Sequence, residues 1–79
     1  MKITKLQEQE LRDHAKRVID SMGIADSTLR LEVELDLSKM FIREFGLHER
    51  DLDNKYLYEA HELIDCYELP LYLREKMAC

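Results

Sequence analysis

Leu29-Arg30-Leu31-Glu32-Val33-Glu34-Leu35-Asp36-Leu37 is the stretch whose reading decides the fold. Apolar and polar residues alternate strictly, which is the pattern of a strand with one buried face. The composition argues the other way. Leucine and glutamate are good helix formers, and Val33 is the only β-branched residue in the run. On a helix, Glu32, Asp36, Lys39 and Arg43 form one polar stripe, acidic first and basic last, which suits the helix dipole. Arg30, Glu34 and Ser38 form a second. Between them lie two apolar stripes: Leu29, Val33, Leu37 and Met40 on one, Leu31, Leu35 and Ile42 on the other. A strand here would also lack an obvious partner strand. The reading is therefore a helix over Ser27–Phe45, ended by Gly46, with apolar stripes that pack against neighbours on both sides.

Working towards the N-terminus, Leu11, Ala15, Val18 and Met22 recur in a 4-3-4 rhythm, one apolar stripe of a helix. Thr4 and Gln7 have the spacing of a capping box, and Gly23 suits the left-handed residue that closes a helix. This predicts a helix over Lys5–Met22. Towards the C-terminus, Leu47–Asp53 reads as a polar connection, with Asp51 or Asp53 capping a third helix. On that helix Tyr56, Leu57, Ala60, Leu63, Ile64 and Tyr67 share one face. Tyr58, Glu59, His61, Glu62, Asp65 and Cys66 lie opposite. Pro70 suits the first turn of a last short helix, Pro70–Met77, with Leu71, Leu73 and Met77 packing. The expected architecture is all-α, a single compact domain of three to four helices around a central helix apolar on two sides.

The 79 residues suffice for one small domain. The net charge of −5 is unevenly spread: residues 1–30 carry +1 and residues 31–79 carry −6. An acidic domain gains little from counterion release, so nucleic acid is not the expected partner. A basic protein surface is. Only two glycines occur, 23 positions apart, so neither a Walker loop nor a dinucleotide fingerprint is present. No apolar run approaches the roughly 20 residues that span a bilayer, so no membrane role is expected. Cys66 and Cys79 make no disulfide framework and read as free thiols of a cytoplasmic protein.

The motifs are sparse. Asp51, Asp53 and Glu62 have calcium-loop spacing, but Lys55 and Tyr56 stand where a ligand and a glycine belong. His61 and Asp65 are one turn apart without a second ligand pair, so no metal site is expected. His14 and His48 read as isolated. No nucleophile elbow occurs and so short a chain has little room for a pocket, so no catalytic residues and no cofactor are assigned. Met22-Gly23-Ile24-Ala25-Asp26-Ser27-Thr28-Leu29-Arg30 resembles the turn and recognition-helix start of helix-turn-helix DNA-binding proteins, with Gly23, Ile24 and Leu29 matching. The resemblance implies a transcription regulator. Glu32 departs from it, standing where that family buries an aliphatic residue, and Arg30 is a lone cation among Asp26, Glu32, Glu34 and Asp36.

Tyr58 and Tyr72 are the tyrosines expected on the surface, and Tyr58 lies among Glu59, Glu62 and Asp65. Tyrosine beside acids is a chemistry that anchors protein interfaces. These five residues form the expected partner-binding site, docking on a larger protein or complex with a basic surface. Phe41 and Phe45 suggest a seam for a homodimer. Small size, acidity and the lack of catalytic motifs resemble the small inhibitors and accessory factors of phages and mobile elements, including antirestriction and anti-CRISPR proteins. A DNA-binding regulator and a structural subunit of a larger assembly are the alternatives.

Overall fold

The computed structural model describes residues 1–78, and Cys79, read above as a free thiol, lies outside them. Four helices follow in order: α1 (Lys5–Ser21), α2 (Ser27–Phe45), α3 (Leu57–Asp65) and α4 (Leu71–Met77). Two 3-10 turns, Glu49–Asp51 and Asn54–Tyr56, lie between α2 and α3. The fold is all-α, a domain of three to four helices. The leucine-rich run coils rather than extends. No described helix is long and apolar enough to cross a membrane.

Local chemistry sets the helix ends. The Gln7 amide donates to Thr4 Oγ1 at 3.1 Å and the Thr4 amide donates to Gln7 Oε1 at 2.9 Å, a reciprocal capping box. Asp26 starts α2, its carboxylate accepting from the amides of Thr28 at 2.8 Å and Leu29 at 3.2 Å. Gly46 ends it with φ 75°, in the left-handed region that only glycine enters freely. Pro70 precedes the first turn of α4 rather than joining it, because its ψ of 155° is extended. Asp53 caps the Asn54–Tyr56 turn and not α3, accepting from the Lys55 amide at 3.1 Å.

Packing departs from expectation in four places. α1 packs against α2 and α3, and α2 also packs against α4. Yet α2 buries only the Val33, Leu37 and Met40 stripe, while Leu31, Leu35 and Ile42 are exposed. Strict alternation on a helix makes two nearly opposed stripes, and a chain this short has too few helices to cover both. Asp36 is not on a solvated stripe but buried, because Tyr67 and α4 close over it. Phe41 belongs to the core and stacks on Phe45 with ring centroids 6.0 Å apart, so the phenylalanine seam is not available on the surface. On α4 only Leu73 is buried; Leu71 and Met77 face solvent, and Tyr56 before α3 is exposed as well.

The connection after α2 is also less polar than its composition suggests. Leu52 is buried there, and the Ile3 amide donates to the Leu52 carbonyl at 2.9 Å. The Asn54 amide donates to the Met1 carbonyl at 2.7 Å. This short antiparallel pairing seats Ile3 in the core. The core falls into two clusters along an elongated body of 44 × 21 × 18 Å. One gathers Ile3, Leu11, Phe41, Leu52, Ala60 and Ile64; the other gathers Ile19, Val33, Leu37, Met40, Tyr67 and Leu73. Ala15 packs against both.

Candidate functional site

α3 buries Ala60 and Ile64 against the rest of the domain, which fixes the helix's rotation. That rotation turns Tyr58, Glu59, Glu62 and Asp65 outward, all exposed. Glu62 follows Tyr58 by one turn and Asp65 follows Glu62 by three residues, so the three form a single line, with Glu59 at its flank. Tyr58 is 73% exposed. Hydrogen bonding to the Glu62 carboxylate, and then its charge, hold the Tyr58 phenol above its ordinary pKa, so it stays protonated at neutral pH. Tyr72 is exposed too, but it stands on α4, and no hydrogen bond or ion pair joins it to the α3 line. The structure therefore brings together four of the five expected docking residues and leaves the fifth on another helix.

His14 is not isolated. Its Nε2 lies 2.6 Å from Asp65 Oδ1, and its Nδ1 lies 2.6 Å from Nδ1 of His61. The two rings stack with centroids 4.9 Å apart and planes 23° apart. A bond between two ring nitrogens needs one donor and one acceptor, so both rings cannot be imidazolium while the contact lasts. With both rings neutral every role is filled: His14 Nε2–H donates to Asp65, and His61 Nδ1–H donates to His14. Desolvation lowers the His61 pKa most, and His14 and Arg17 lower it further against Glu10 and Asp65. The sequence signal for each ring's partial burial was present, though nothing in it paired the two. His14 lies three residues after Leu11 and four before Val18, and His61 follows the buried Ala60, so each borders the apolar stripe of its helix.

Among the described residues no group of three His, Cys, Asp or Glu side chains is placed to hold a metal ion. Asp53 instead meets the Met1 ammonium at 2.8 Å and Asp51 meets Lys2 at 3.6 Å. Cys66 is a free, exposed thiol. Arg30, the cation expected to matter for DNA, is paired with Asp20 and lies 3.5 Å from Glu34. Concavity is greater than the chain length suggests. A cleft of ≈ 360 Å³ opens between α1 and α2, and one of ≈ 490 Å³ lies beside the α2–α3 connection. Comparison with protein-family models, curated proteins and solved structures finds no match for the chain.

Proposed function

We propose that the protein is a non-enzymatic binding protein that docks the outer line of α3 onto a basic surface of a larger protein or complex and blocks or redirects it. The observation that carries this reading is the exposure of Tyr58 beside Glu59, Glu62 and Asp65. An aromatic anchor with a phenol donor is set in a field of carboxylates, on a helix whose opposite face is held by the core. The net charge of −5 supports attraction to a basic partner. The proposed type is a small cytoplasmic inhibitor or accessory factor of the kind made by phages and mobile elements, with antirestriction and anti-CRISPR proteins included.

The test is affinity capture from the native host with wild type and with a Glu59→Lys/Glu62→Lys variant, the captured proteins being identified by mass spectrometry. Asp65 is left intact in that variant because it also holds His14. A basic protein captured by wild type, lost by the variant and released by added salt supports the docking line. Capture of the same proteins by both chains removes it. Tyr58→Ala then separates anchor from charge, since it should weaken capture without changing its salt dependence.

A further inference from the structure

We propose that the exposed ridge of α2 pairs two copies of this chain antiparallel, Leu31, Leu35 and Ile42 of one against the same residues of the other, with Glu32 of each copy facing Lys39 and Arg43 of the second. This surface lies on a different helix from the α3 docking line and stands independently of it.

Leu31, Leu35 and Ile42 are 64%, 57% and 41% exposed, in a chain whose core is already filled from the opposite stripe of the same helix. Ser38 completes the line, giving steps of four, three and four residues, the spacing of a helix–helix seam. Apolar positions aligned in this way on one helix mark an interaction surface. The cleft between α1 and α2, walled by Leu37 and Phe41 of α2, opens beside the ridge.

The charges choose the occupant. Glu32, Lys39 and Arg43 run along one flank of the ridge, with the acid in the first half of α2 and the bases in the second. In an antiparallel pair, the same flanks of the two helices face each other, first half against second. Glu32 of each copy then meets Lys39 and Arg43 of the other, twice over by symmetry. A parallel pair would instead set this flank against the opposite one, which carries Arg30 and Glu34. A uniformly charged partner would be repelled along half of the flank. Within the chain, among the described residues, Lys39 and Arg43 form no ion pair, while Glu32 is paired with Lys76 of α4 at 2.9 Å, a contact that the cations of the second copy would share. Register follows from size: Leu31 falls opposite Ile42, and Leu35 falls opposite the small Ser38, so a large residue meets a small one.

Sedimentation velocity and light scattering on the full chain, from low to high micromolar, test this. Wild type is expected to be a dimer that salt weakens. Leu35→Glu should be monomeric with unchanged helical circular dichroism, since position 35 is exposed and its loss does not threaten the core. Lys39→Glu should weaken association about tenfold, as two symmetric surface ion pairs become repulsive. Exchanging all three charges (Glu32→Lys, Lys39→Glu, Arg43→Glu) should restore it. Orientation is read in a background with Cys66→Ser and Cys79→Ser: mixed Leu31→Cys and Ile42→Cys chains should cross-link to each other. A wild type monomeric throughout would overturn the proposal and give the ridge to a different protein. A dimer that survives Leu35→Glu, or a Leu31→Cys chain that cross-links to itself, would overturn it as well.

Discussion

Tyr67→Phe removes one oxygen from the protein and should cost far more than one oxygen's worth of packing. The Tyr67 hydroxyl donates to Asp36 Oδ2 at 2.7 Å, and both side chains are buried, Asp36 to 9% exposure. Burial and then the bond to Asp36 push the Tyr67 phenol up, so it keeps its proton through the physiological range. Phenylalanine preserves the ring packed with Ile19, Val33, Met40 and Leu73 and leaves the carboxylate without its donor. A lost bond to a buried charged group is worth about 2 kcal/mol. For a domain of this size that lowers the melting temperature by roughly 8–16 °C. Circular dichroism in urea and on heating is the assay, because the chain has no tryptophan to report by fluorescence. A double-mutant cycle isolates the bond. Asp36→Leu should itself destabilise by orphaning the hydroxyl, yet the Asp36→Leu/Tyr67→Phe pair should be more stable than the two single losses sum to, by about 1–2 kcal/mol. Additivity within about 0.3 kcal/mol, or a Tyr67→Phe melt indistinguishable from wild type, would refute the reasoning that a buried donor–acceptor pair fastens the α3–α4 connection to α2.

Gly46→Ala should cost about 1 kcal/mol in urea denaturation and Gly46→Asn less. A Cβ there meets nothing within 4 Å, so only the left-handed φ of 75° opposes it. Ile3→Ala should cost about 2–4 kcal/mol, a core-sized penalty for a residue ahead of the first helix, because Ile3 sits among Leu11, Phe41 and Leu52. Acid should weaken the fold through His61: its folded pKa is lowered, so the unfolded chain binds the extra proton. This contribution to stability is intact above the unfolded value of about 6.5 and is lost as pH falls below it. Melting curves from pH 7.5 down to pH 5 should fall less steeply for His61→Gln than for wild type, and parallel slopes would remove His61 as the cause.

The features legible in the sequence are those set by neighbours in the chain. Thr4 with Gln7, Gly23 and Gly46 act within four residues, and the helix limits drawn from them agree with the structure to within a residue. α3 was read correctly on its buried side for the same reason, since Ala60, Ile64 and Tyr67 are spaced by its turn. What stayed illegible depends on partners far along the chain. Nothing near Asp36 announces that Tyr67 will close over it. His14 and His61 stand 47 positions apart on α1 and α3, and Ile3 pairs with a connection that looked polar around Leu52. The two stripes of α2 were both visible, but their apolar content is similar, so the sequence could not say which one α1 and α4 would cover. Tyr72 was grouped with Tyr58 by residue type, and the structure has it on α4 rather than α3.

The division of the core into two clusters, with Ala15 as a side chain touching both, bears on how the domain comes apart. So small a bridging contact transmits little between the ends. Cooperativity must travel mainly along the backbones of α1 and α2, which run through both halves like paired struts. A glycine placed at the waist would uncouple the halves, and amide exchange would then show one end opening while the other stayed closed.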